Sequence, residues 1–495
     1  MCGIAGVVGN EDTILVTKML DALRHRGPDD IGIFTDKGIT LGHTRLSIID
    51  VERGRQPIIG DRGNSCIVLN GEIYNYKEIA RRLRGHIFYT SSDSEAALHL
   101  FEEEGARTPA MLDGMFALAA YRDGTVLLAR DPLGIKPLYY SLEDGVLYFA
   151  SEMKALLYAT DDVRVFPPGM YYVHGKGFRR FWSVPESHER EIIDASTAAK
   201  CVRELLHTAV NKRLMSDVPL GTFLSGGLDS TIVTALANSE AHEIRSFSTG
   251  MAESRDIRAA RVVSEHLGTE HHELVFDEED VIHHISRVVR HLESFDAALV
   301  RSAIPTYFVS QLARRYVKVV LMGEGADELF AGYRYLKGIP RARIHPELVR
   351  ITSELHYLNL QRADRMTMAH ALEGRVPFLD IKVVEYALGL PVFLKVRKPG
   401  QIEKWILRMA FDQIVPRFVT SRTKMKFAQG TGSALVVKDY AEREITDAEF
   451  SRETEKHPRV ALRTKEELFL FRIFREFYPQ DSVLSAIGRT QPCQL

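Results

Sequence analysis

The spacing of apolar and polar positions divides the chain into two halves of different character. In the first half, short apolar runs such as residues 2–8, 114–121 and 147–150 alternate with polar turns. Runs of this length between turn residues predict β-strands, and few stretches show the three- and four-residue spacing of a helix. We therefore expect an α+β fold here, with two packed antiparallel sheets and flanking helices.

The second half alternates between strand and helix patterns. A helical spacing begins at Ala198 and leads into an apolar run that ends near Leu224. Later runs predict strands at 244–250, 270–276 and 317–322, and helices at 256–267 and 302–315. Such alternation indicates an α/β fold with a parallel sheet, covered on both faces, whose ligands bind at the carboxyl ends of the strands.

Composition suggests where the domains meet. Residues 183–199 are polar and charged and contain a proline, which is typical of an interdomain linker. We expect one domain at 1–182 and a second at 200–435. Residues 436–495 are expected to form a helical extension that ends in a loose tail from Gly488.

Bulk properties favour small-molecule chemistry inside the cell. The 495-residue chain is 45% hydrophobic, enough for two or three cores, and its net charge of −2 gives no basic field for nucleic acid or an anionic membrane. The four cysteines show neither zinc spacing nor the density of a disulfide scaffold. Without an apolar run of membrane-spanning length or a signal peptide, the sequence predicts a cytoplasmic protein.

A loop rich in serine and glycine, residues 224–230, separates a predicted strand from the next predicted helix. Gly226 and Gly227 let a ligand approach the backbone closely, and the unpaired N–H groups at a helix start favour phosphate. The loop lacks the lysine of the G-x-x-x-x-G-K-[ST] motif, which argues against transfer of a γ-phosphoryl group. An ordinary glycine turn is the alternative.

Cys2 becomes the first residue once Met1 is removed, which places a thiol and a free α-amino group in one residue. With ordinary pKa values of about 8 for the amine and about 8.5 for the thiol, the amine can accept the thiol proton near neutral pH. The apolar run that follows would hold this terminus in a sheet. Without that context, a cysteine in the second position carries no functional signal.

Three carboxylates, Glu324, Asp327 and Glu328, follow the predicted strand at 317–322. Acids beside a polyphosphate would repel it unless Mg²⁺ lay between them. Asp229 and Asp327 are therefore the expected Mg²⁺ ligands. Solvated acids at a helix start are the alternative.

Four polar segments of the first half stand in a characteristic order, at 24–29, 42–50, 69–75 and 91–95. Together with Cys2 they resemble the glutaminase domain of class II glutamine amidotransferases over residues 1–182. The resemblance implies an N-terminal-nucleophile hydrolase sandwich in which Cys2 attacks the side-chain amide of glutamine and forms a thioester. Water then releases glutamate.

The same resemblance assigns the rest of a glutamine site. Asn70, through its side-chain amide, and Gly71, through its N–H, would form the oxyanion hole. Arg45 would pair with the α-carboxylate of glutamine, and Glu72 and Asp93 would hold its α-ammonium. From residue type alone, Asn70-Gly71 is equally a hairpin turn, and a lone Arg45 or Asp93 is more often a surface charge.

Two further groups in this half stay outside the catalytic set. Residues 24–26 are either a mobile lid over glutamine or an exposed basic loop, and His25 is given no catalytic role. Arg130 and Asp131 are interpreted as structural.

Five segments of the second half carry a second resemblance: 225–230, 293–296 with Arg301, 323–328, 364–380 and 422–424. They resemble the synthetase domain of glutamine-hydrolysing asparagine synthetases over residues 200–435. The resemblance implies an adenine nucleotide α-hydrolase-like domain whose loop binds the pyrophosphate of ATP. Its implied ATP-binding residues are Leu224, Ser225, Gly226, Gly227, Asp229, Ser230, Thr249, Gly323 and Lys424.

By this resemblance, Glu324 deprotonates ammonia, Lys424 neutralises the phosphates, and Arg301 contacts phosphate or the substrate carboxylate. The implied substrates are glutamine, aspartate and ATP with Mg²⁺, and ammonia would pass through an interdomain channel to β-aspartyl-AMP, giving asparagine. An enzyme of the same family that acts on another carboxylate is the first alternative, and a non-catalytic binding or sensing protein is the second. A homodimer stays open as the assembly.

Overall fold

The computed structural model describes residues 2–186, 194–241, 243–396, 403–422 and 425–491. Over residues 2–186 the strands are β1 (Gly3–Val8), β2 (Asp30–Asp36), β3 (Ile39–Arg45), β4 (Ile58–Ile59), β5 (Ser65–Ile73), β6 (Gly114–Arg122), β7 (Thr125–Arg130), β8 (Tyr139–Glu143), β9 (Val146–Ala150), β10 (Arg164–Val165), β11 (Met170–Val173) and β12 (Gly177–Arg180). The helices of this part are α1 (Thr13–Leu23), α2 (Tyr76–Arg82), α3 (Asp93–Glu104) and α4 (Met153–Leu156).

These strands form two six-stranded sheets whose paired neighbours run antiparallel. Their orders are β10-β8-β9-β1-β3-β2 and β12-β11-β7-β6-β5-β4. Ile4 and Leu41 of the first sheet share an apolar cluster with Val68 and Leu128 of the second, so the two sheets pack face to face. Helix α1 covers the outer face of the first sheet and α3 that of the second. The predicted antiparallel sandwich with flanking helices is confirmed.

The alternating pattern of β1 explains why the chain terminus is held in the molecule. Ile4 and Val8 face the core between the sheets, while Ala5 and Val7 face α1. Strand β1 lies between β9 and β3 inside its sheet, with all six residues buried. Cys2 is therefore fixed at the end of an internal strand.

The second part of the chain carries most of the helices. Its strands are β13 (Leu220–Phe223), β14 (Arg245–Gly250), β15 (Glu270–Val275), β16 (Val319–Leu321) and β17 (Glu373–Arg375). Its helices are α5 (Ala195–Lys212), α6 (Leu228–Glu240), α7 (Arg255–Leu267), α8 (Glu278–Leu292), α9 (Ala297–Ala313), α10 (Ala326–Leu329), α11 (Arg341–Ser353), α12 (Asn359–Met368), α13 (Ile381–Gly389), α14 (Val392–Lys395), α15 (Trp405–Ala410), α16 (Arg417–Ser421), α17 (Phe427–Gly430), α18 (Val436–Glu444), α19 (Asp447–Lys456) and α20 (Lys465–Phe477).

The five strands form one parallel sheet in the order β15-β14-β13-β16-β17, which confirms the predicted α/β fold. Consecutive residues of β14 and β16 are buried, so both faces of the sheet are covered. Helix α5 begins earlier than its apolar spacing predicts, because the Asp194 side chain accepts hydrogen bonds from the first N–H groups. Among the described residues, no helix is both long and apolar enough to cross a membrane.

The C-terminal extension is part of the core. Helix α20 buries Leu468, Leu470 and Phe474 in a cluster that also contains residues of α8 and α9. The prediction of a loose tail from Gly488 is wrong for residues 488–491. The Thr490 N–H donates to Asp296 Oδ2 at 2.8 Å, and its hydroxyl donates to Asp296 Oδ1 at 2.7 Å.

Candidate active sites

Cys2 is buried, with 6% of its surface exposed. Burial raises the pKa of its thiol and the charge of Glu72 acts in the same direction, while the Leu46 N–H, which donates to the sulfur, and the charge of Arg45 lower it. A thiol in this setting needs a base at hand to become a nucleophile. In the predicted reaction that base is the α-amino group of the same residue, which is free once Met1 is removed.

Asn70 and Gly71 lie beside the cysteine, inside β5 and paired with Ala117 and Phe116 of β6. The hairpin-turn alternative for this dipeptide is therefore wrong. The Cys2 N–H donates to Asn70 Oδ1 at 3.1 Å, which turns the amide nitrogen the other way. Asn70 Nδ2 is buried and has no hydrogen-bond acceptor among the described residues. An oxyanion hole requires a buried, unused donor of this kind.

Gly71 has a φ of +150°, and a Cβ built on it would lie 1.9 Å from the carbonyl oxygen of Met115. No other residue type fits without moving β6. Gly71 therefore keeps its place next to Asn70 in β5, and its N–H is the second donor of the predicted oxyanion hole.

The three residues expected to hold the glutamine backbone are all buried, so the surface-charge alternative for Arg45 and Asp93 is wrong. The Arg45 guanidinium donates to the carbonyl oxygens of Asp50 at 2.6 Å and Val51 at 3.0 Å. Glu72 lies 3.6 Å from the guanidinium of Arg375, and burial followed by the charges of Glu373 and Asp93 raises its pKa.

Asp93 occupies the first turn of α3 and accepts the Ile73 N–H at 2.8 Å. Burial raises its pKa to about 6, although the Ile73 hydrogen bond acts against the shift. The helix thus presents a carboxylate that is ionised at neutral pH and protonated in mild acid.

We expect glutamine use to weaken below pH 6, because a protonated Asp93 no longer attracts an α-ammonium. At pH 5 about one tenth of Asp93 is ionised, so KM for glutamine should be about tenfold higher than at pH 7. The measurement is a pH series of KM for glutamine, with ammonia-dependent synthesis, normalised to free NH₃, as the reference. A KM that stays flat from pH 7 to pH 5 contradicts the assignment of Asp93.

Arg26 connects this site to the second domain, and neither the lid nor the exposed-loop alternative describes it. Its side chain is fully buried, and its Nε donates to the carbonyl oxygen of Cys2 at 2.9 Å. Its Nη1 donates to Glu152 at 2.7 Å and to Asp364 of α12 at 2.8 Å. Arg365 extends the network by donating to Glu293 at 3.0 Å. Because residues 24–26 are all basic, their composition did not indicate that Arg26 is buried.

The second candidate site begins where β13 ends. Gly226 has a φ of +65°, and a Cβ there would lie 2.5 Å from the backbone of Ala259, so the turn requires glycine. The Ser225 N–H donates to Ser230 Oγ at 3.2 Å, which closes the loop onto the first turn of α6. Gly227 caps α6 without a side-chain hydrogen bond. This leaves helix-start N–H groups for an anion.

Asp229 and Asp327 are brought together by a residue that the sequence did not single out. Lys404 is 2% exposed, and its Nζ lies 2.5 Å from Asp229 Oδ2 and 2.6 Å from Asp327 Oδ1. Gly323 makes the approach possible, since a Cβ there would lie 2.9 Å from Asp229 Cβ. No motif marks Lys404, which meets the loop only through the tertiary fold.

The remaining acids of the 323–328 segment differ in their surroundings. Glu324 forms an ion pair with Arg362 of α12. Glu328 is buried and accepts hydrogen bonds from Tyr333 at 2.5 Å and Asn359 at 2.9 Å. Burial, followed by the charge of Asp327, raises the pKa of Glu328 to about 7. Glu324 is therefore the more accessible carboxylate of the two.

Two further predicted site residues make their side-chain contacts with residues outside this cluster. Thr249 is in β14, and its hydroxyl donates to the Leu274 carbonyl oxygen at 2.7 Å. Arg301 is paired with Glu466 of α20 through its Nε, at 2.9 Å, and its Nη2. Lys424 lies outside the described residues.

An antiparallel sandwich around a buried terminal cysteine, followed by a parallel sheet with a phosphate-type loop, defines a two-domain amidotransferase. Residues 1–170 match the family model of the glutamine amidotransferase domain, and residues 201–350 and 340–483 match that of asparagine synthase. The chain belongs to the glutamine-hydrolysing asparagine synthetase family.

Relatives of known name match along nearly the whole chain. Asparagine synthetase [glutamine-hydrolyzing] 1 of Arabidopsis thaliana is 37% identical over 100% of this chain and 90% of its own length. The Asparagus officinalis asparagine synthetase [glutamine-hydrolyzing] is 38% identical over 97% of this chain and 86% of its own. Among solved structures, a glutamine phosphoribosylpyrophosphate amidotransferase from B. subtilis covers 55% of this chain and 65% of its own, with 20% identity and a TM-score of 0.32.

Proposed function

We propose that the protein is a glutamine-dependent asparagine synthetase. It would hydrolyse glutamine to glutamate and ammonia, adenylate aspartate with ATP to release pyrophosphate, and convert β-aspartyl-AMP and ammonia to asparagine and AMP. The observation that carries the proposal is the Cys2–Asn70 hydrogen bond, in which Asn70 Nδ2 is a buried donor with no acceptor among the residues that the structure describes. The same chain holds a phosphate-type loop at Ser225.

In the glutaminase half, the Cys2 sulfur attacks the side-chain carbonyl carbon of glutamine while its proton passes to the α-amino group. Asn70 Nδ2 and the Gly71 N–H stabilise the negative oxygen, each donor contributing about 3 kcal/mol. The protonated amine then gives its proton to the amide nitrogen, which leaves as ammonia. Water attacks the resulting thioester and restores the thiol.

Arg45, Glu72 and Asp93 would hold the glutamine backbone groups during these steps. Glu72 and Asp93 supply negative charge for the α-ammonium, and the Arg45 guanidinium is the positive group for the α-carboxylate. Their burial strengthens these interactions, because little water screens them.

An apolar path is proposed for ammonia. Met115 of β6, Leu133 and Ile135 belong to the same apolar cluster as Leu224 and Leu228, which flank the phosphate-type loop. Met115 is also the residue whose carbonyl oxygen faces Gly71 in the first site. A route lined by such side chains would keep ammonia neutral, which matters because ammonium has no lone pair for attack.

In the synthetase half, the Ser225–Ser230 loop and the start of α6 would hold the phosphates of ATP, with Lys424 adding positive charge. The aspartate side-chain carboxylate attacks the α-phosphorus and pyrophosphate leaves. Ammonia then attacks the mixed anhydride, Glu324 takes the proton from the attacking nitrogen, and AMP leaves. The roles of Thr249 and Arg301 at this site stay proposals.

Mg²⁺ is proposed between Asp229 and Asp327, and the arrangement fits a cation. Both carboxylates converge on one positive charge, the Lys404 ammonium, within 2.6 Å. A bound Mg²⁺ would use carboxylate and phosphate oxygens and neutralise charge on the leaving pyrophosphate.

Lys404→Met tests this arrangement. Removing the ammonium leaves two neighbouring carboxylates without its positive charge. The free energy of unfolding should therefore fall by about 3 kcal/mol. Millimolar Mg²⁺ should restore part of that loss and raise the Tm of the variant more than that of the wild type. Lys382→Met, at an exposed position, is the control and should behave like the wild type. Equal Mg²⁺ shifts in all three proteins argue against a cation at this pair.

The domain division at 1–182, 183–199, 200–435 and 436–495 and a cytoplasmic location are retained as proposals. A homodimer is the proposed assembly, and light scattering during size-exclusion chromatography decides it against a monomer.

The acceptor is tested by incubating the full chain with ATP, glutamine and a panel of carboxylic acids, and identifying amide products by mass spectrometry. We expect asparagine and pyrophosphate from aspartate alone. If an amide forms from another acid and not from aspartate, that acid is the substrate. If no acid leads to pyrophosphate release, the protein is a binding protein and not a synthetase.

A further inference from the structure

Two histidines and a glutamate lie together at α3 and the loop before it, and none of the three belongs to either candidate site. His99 and Glu102 are one turn apart on α3, and His86 is on the loop between α2 and α3. One oxygen of Glu102 is 2.6 Å from His99 Nδ1 and 3.3 Å from His86 Nδ1. One ligand atom from each of the three residues lies within 4.8 Å of the others.

We propose that His86, His99 and Glu102 form a binding site for a divalent transition-metal ion, with Zn²⁺ the best fit. Two imidazoles and one carboxylate are a ligand set that suits Zn²⁺. With bonds of about 2.0–2.2 Å, tetrahedral zinc separates its ligand atoms by roughly 3.3–3.5 Å. The His86–Glu102 distance already matches, and the His99–Glu102 distance must open by less than about 1 Å.

The surroundings of the two rings support a metal site more than a chance cluster. Metal-bound imidazoles usually give their second nitrogen to a carboxylate. His86 Nε2 lies 3.2 Å from Glu103 Oε1, and His99 Nε2 lies 3.8 Å from Glu95 Oε1. Ser65 Oγ donates to the other oxygen of Glu102, which fixes the carboxylate. His86 and Glu102 are thus each held by a partner on the far side, and the His99 ring faces the carboxylate of Glu95.

The solvent exposure of the three side chains also suits a metal ion. The His99 side chain is 2% exposed, whereas those of His86 and Glu102 are 19% and 14% exposed, so the cluster opens to solvent on one side. A water molecule can complete the coordination there. Bound metal would tie the 83–92 loop to α3, the helix whose first turn carries Asp93.

A proton is the competing occupant. Burial lowers the pKa of His99, but the hydrogen bonds to Glu102 and Glu95 outweigh it and raise the pKa to about 9. Metal binding must displace that proton, so affinity should increase with pH. The proposal concerns the metal alone and is independent of the asparagine synthetase reaction.

The test is a titration of the untagged, chelator-treated full chain with Zn²⁺ by calorimetry, and with Co²⁺ by visible absorption. We expect one equivalent to bind the wild type with a tetrahedral Co²⁺ spectrum. His86→Ala and Glu102→Gln should weaken binding by more than the ~10–100-fold that loss of an outer partner costs. His207→Ala, which removes another histidine paired with a glutamate, should bind as the wild type does.

Two further measurements test whether the metal binds at Cys2 and whether the His86→Ala variant is folded. Cys2→Ala should still bind one equivalent of metal. If the metal were bound at the Cys2 thiol instead, this variant would lose it. Zn²⁺ should raise the Tm of the wild type and not that of His86→Ala, whose metal-free Tm shows whether it folds. No saturable binding, equal binding by His86→Ala, or loss of binding in Cys2→Ala would each overturn the proposal.

Discussion

Replacing Cys2 with alanine is expected to abolish glutamine-dependent asparagine formation and leave ammonia-dependent formation unchanged. The sulfur supplies the covalent bond of the first half-reaction, and loss of a catalytic nucleophile costs on the order of 10⁶ in rate. The thiol is buried and small, so alanine fits its place. The measurement is asparagine produced from glutamine or from ammonium salts at the same ATP and aspartate concentrations.

Cys201→Ala is the matched control, because Cys201 is a free, half-buried cysteine on α5, outside the proposed site. It should retain both activities. If Cys2→Ala lost both activities equally, the two sites would not be separable, and if it kept glutamine use, another group would be the nucleophile.

Replacing Glu324 with glutamine is expected to stop amide formation with either nitrogen source. The amide cannot take a proton from the attacking nitrogen, and loss of a general base costs about 10²–10⁴ in rate. Glutamine still offers an oxygen to Arg362, the ion-pair partner of Glu324, so the fold should be kept. The measurement is asparagine formation beside aspartate-dependent exchange of pyrophosphate into ATP, which reports adenylation alone.

The exchange reaction should survive in Glu324→Gln, while asparagine formation falls. Glu265→Ala, at an exposed position on α7, should leave both rates unchanged. Loss of exchange together with amide formation would place Glu324 in ATP or aspartate binding, and an unchanged rate of amide formation would remove it from the mechanism.

The parts of the fold that repeat a local pattern were predictable from the sequence. Alternating strands and helices of the second half predicted its parallel sheet, and a Ser/Gly run between them predicted the phosphate-type loop. Strand β17 was missed because its three residues include Glu373 and Arg375, which form a buried ion pair at 2.5 Å. Such pairing leaves no apolar signal in the sequence.

The site was less predictable where it depends on contacts between distant segments. Arg26 meets Asp364 across 338 residues, and Lys404 meets Asp229 across 175. Both residues are charged and would be expected at the surface by composition alone. Arg301 is the opposite case. It was predicted to contact phosphate or the substrate carboxylate, and in the structure it is paired with Glu466 of the C-terminal extension.

The account depends on nitrogen passing from Cys2 to the synthetase half inside one molecule. Glutamine labelled with ¹⁵N in its side-chain amide is supplied with ATP, aspartate and an excess of unlabelled ammonium, and the label in the asparagine amide is read by mass spectrometry. The account predicts a ¹⁵N fraction in asparagine well above that of the free ammonium pool at the same time. A fraction equal to that of the pool would contradict it.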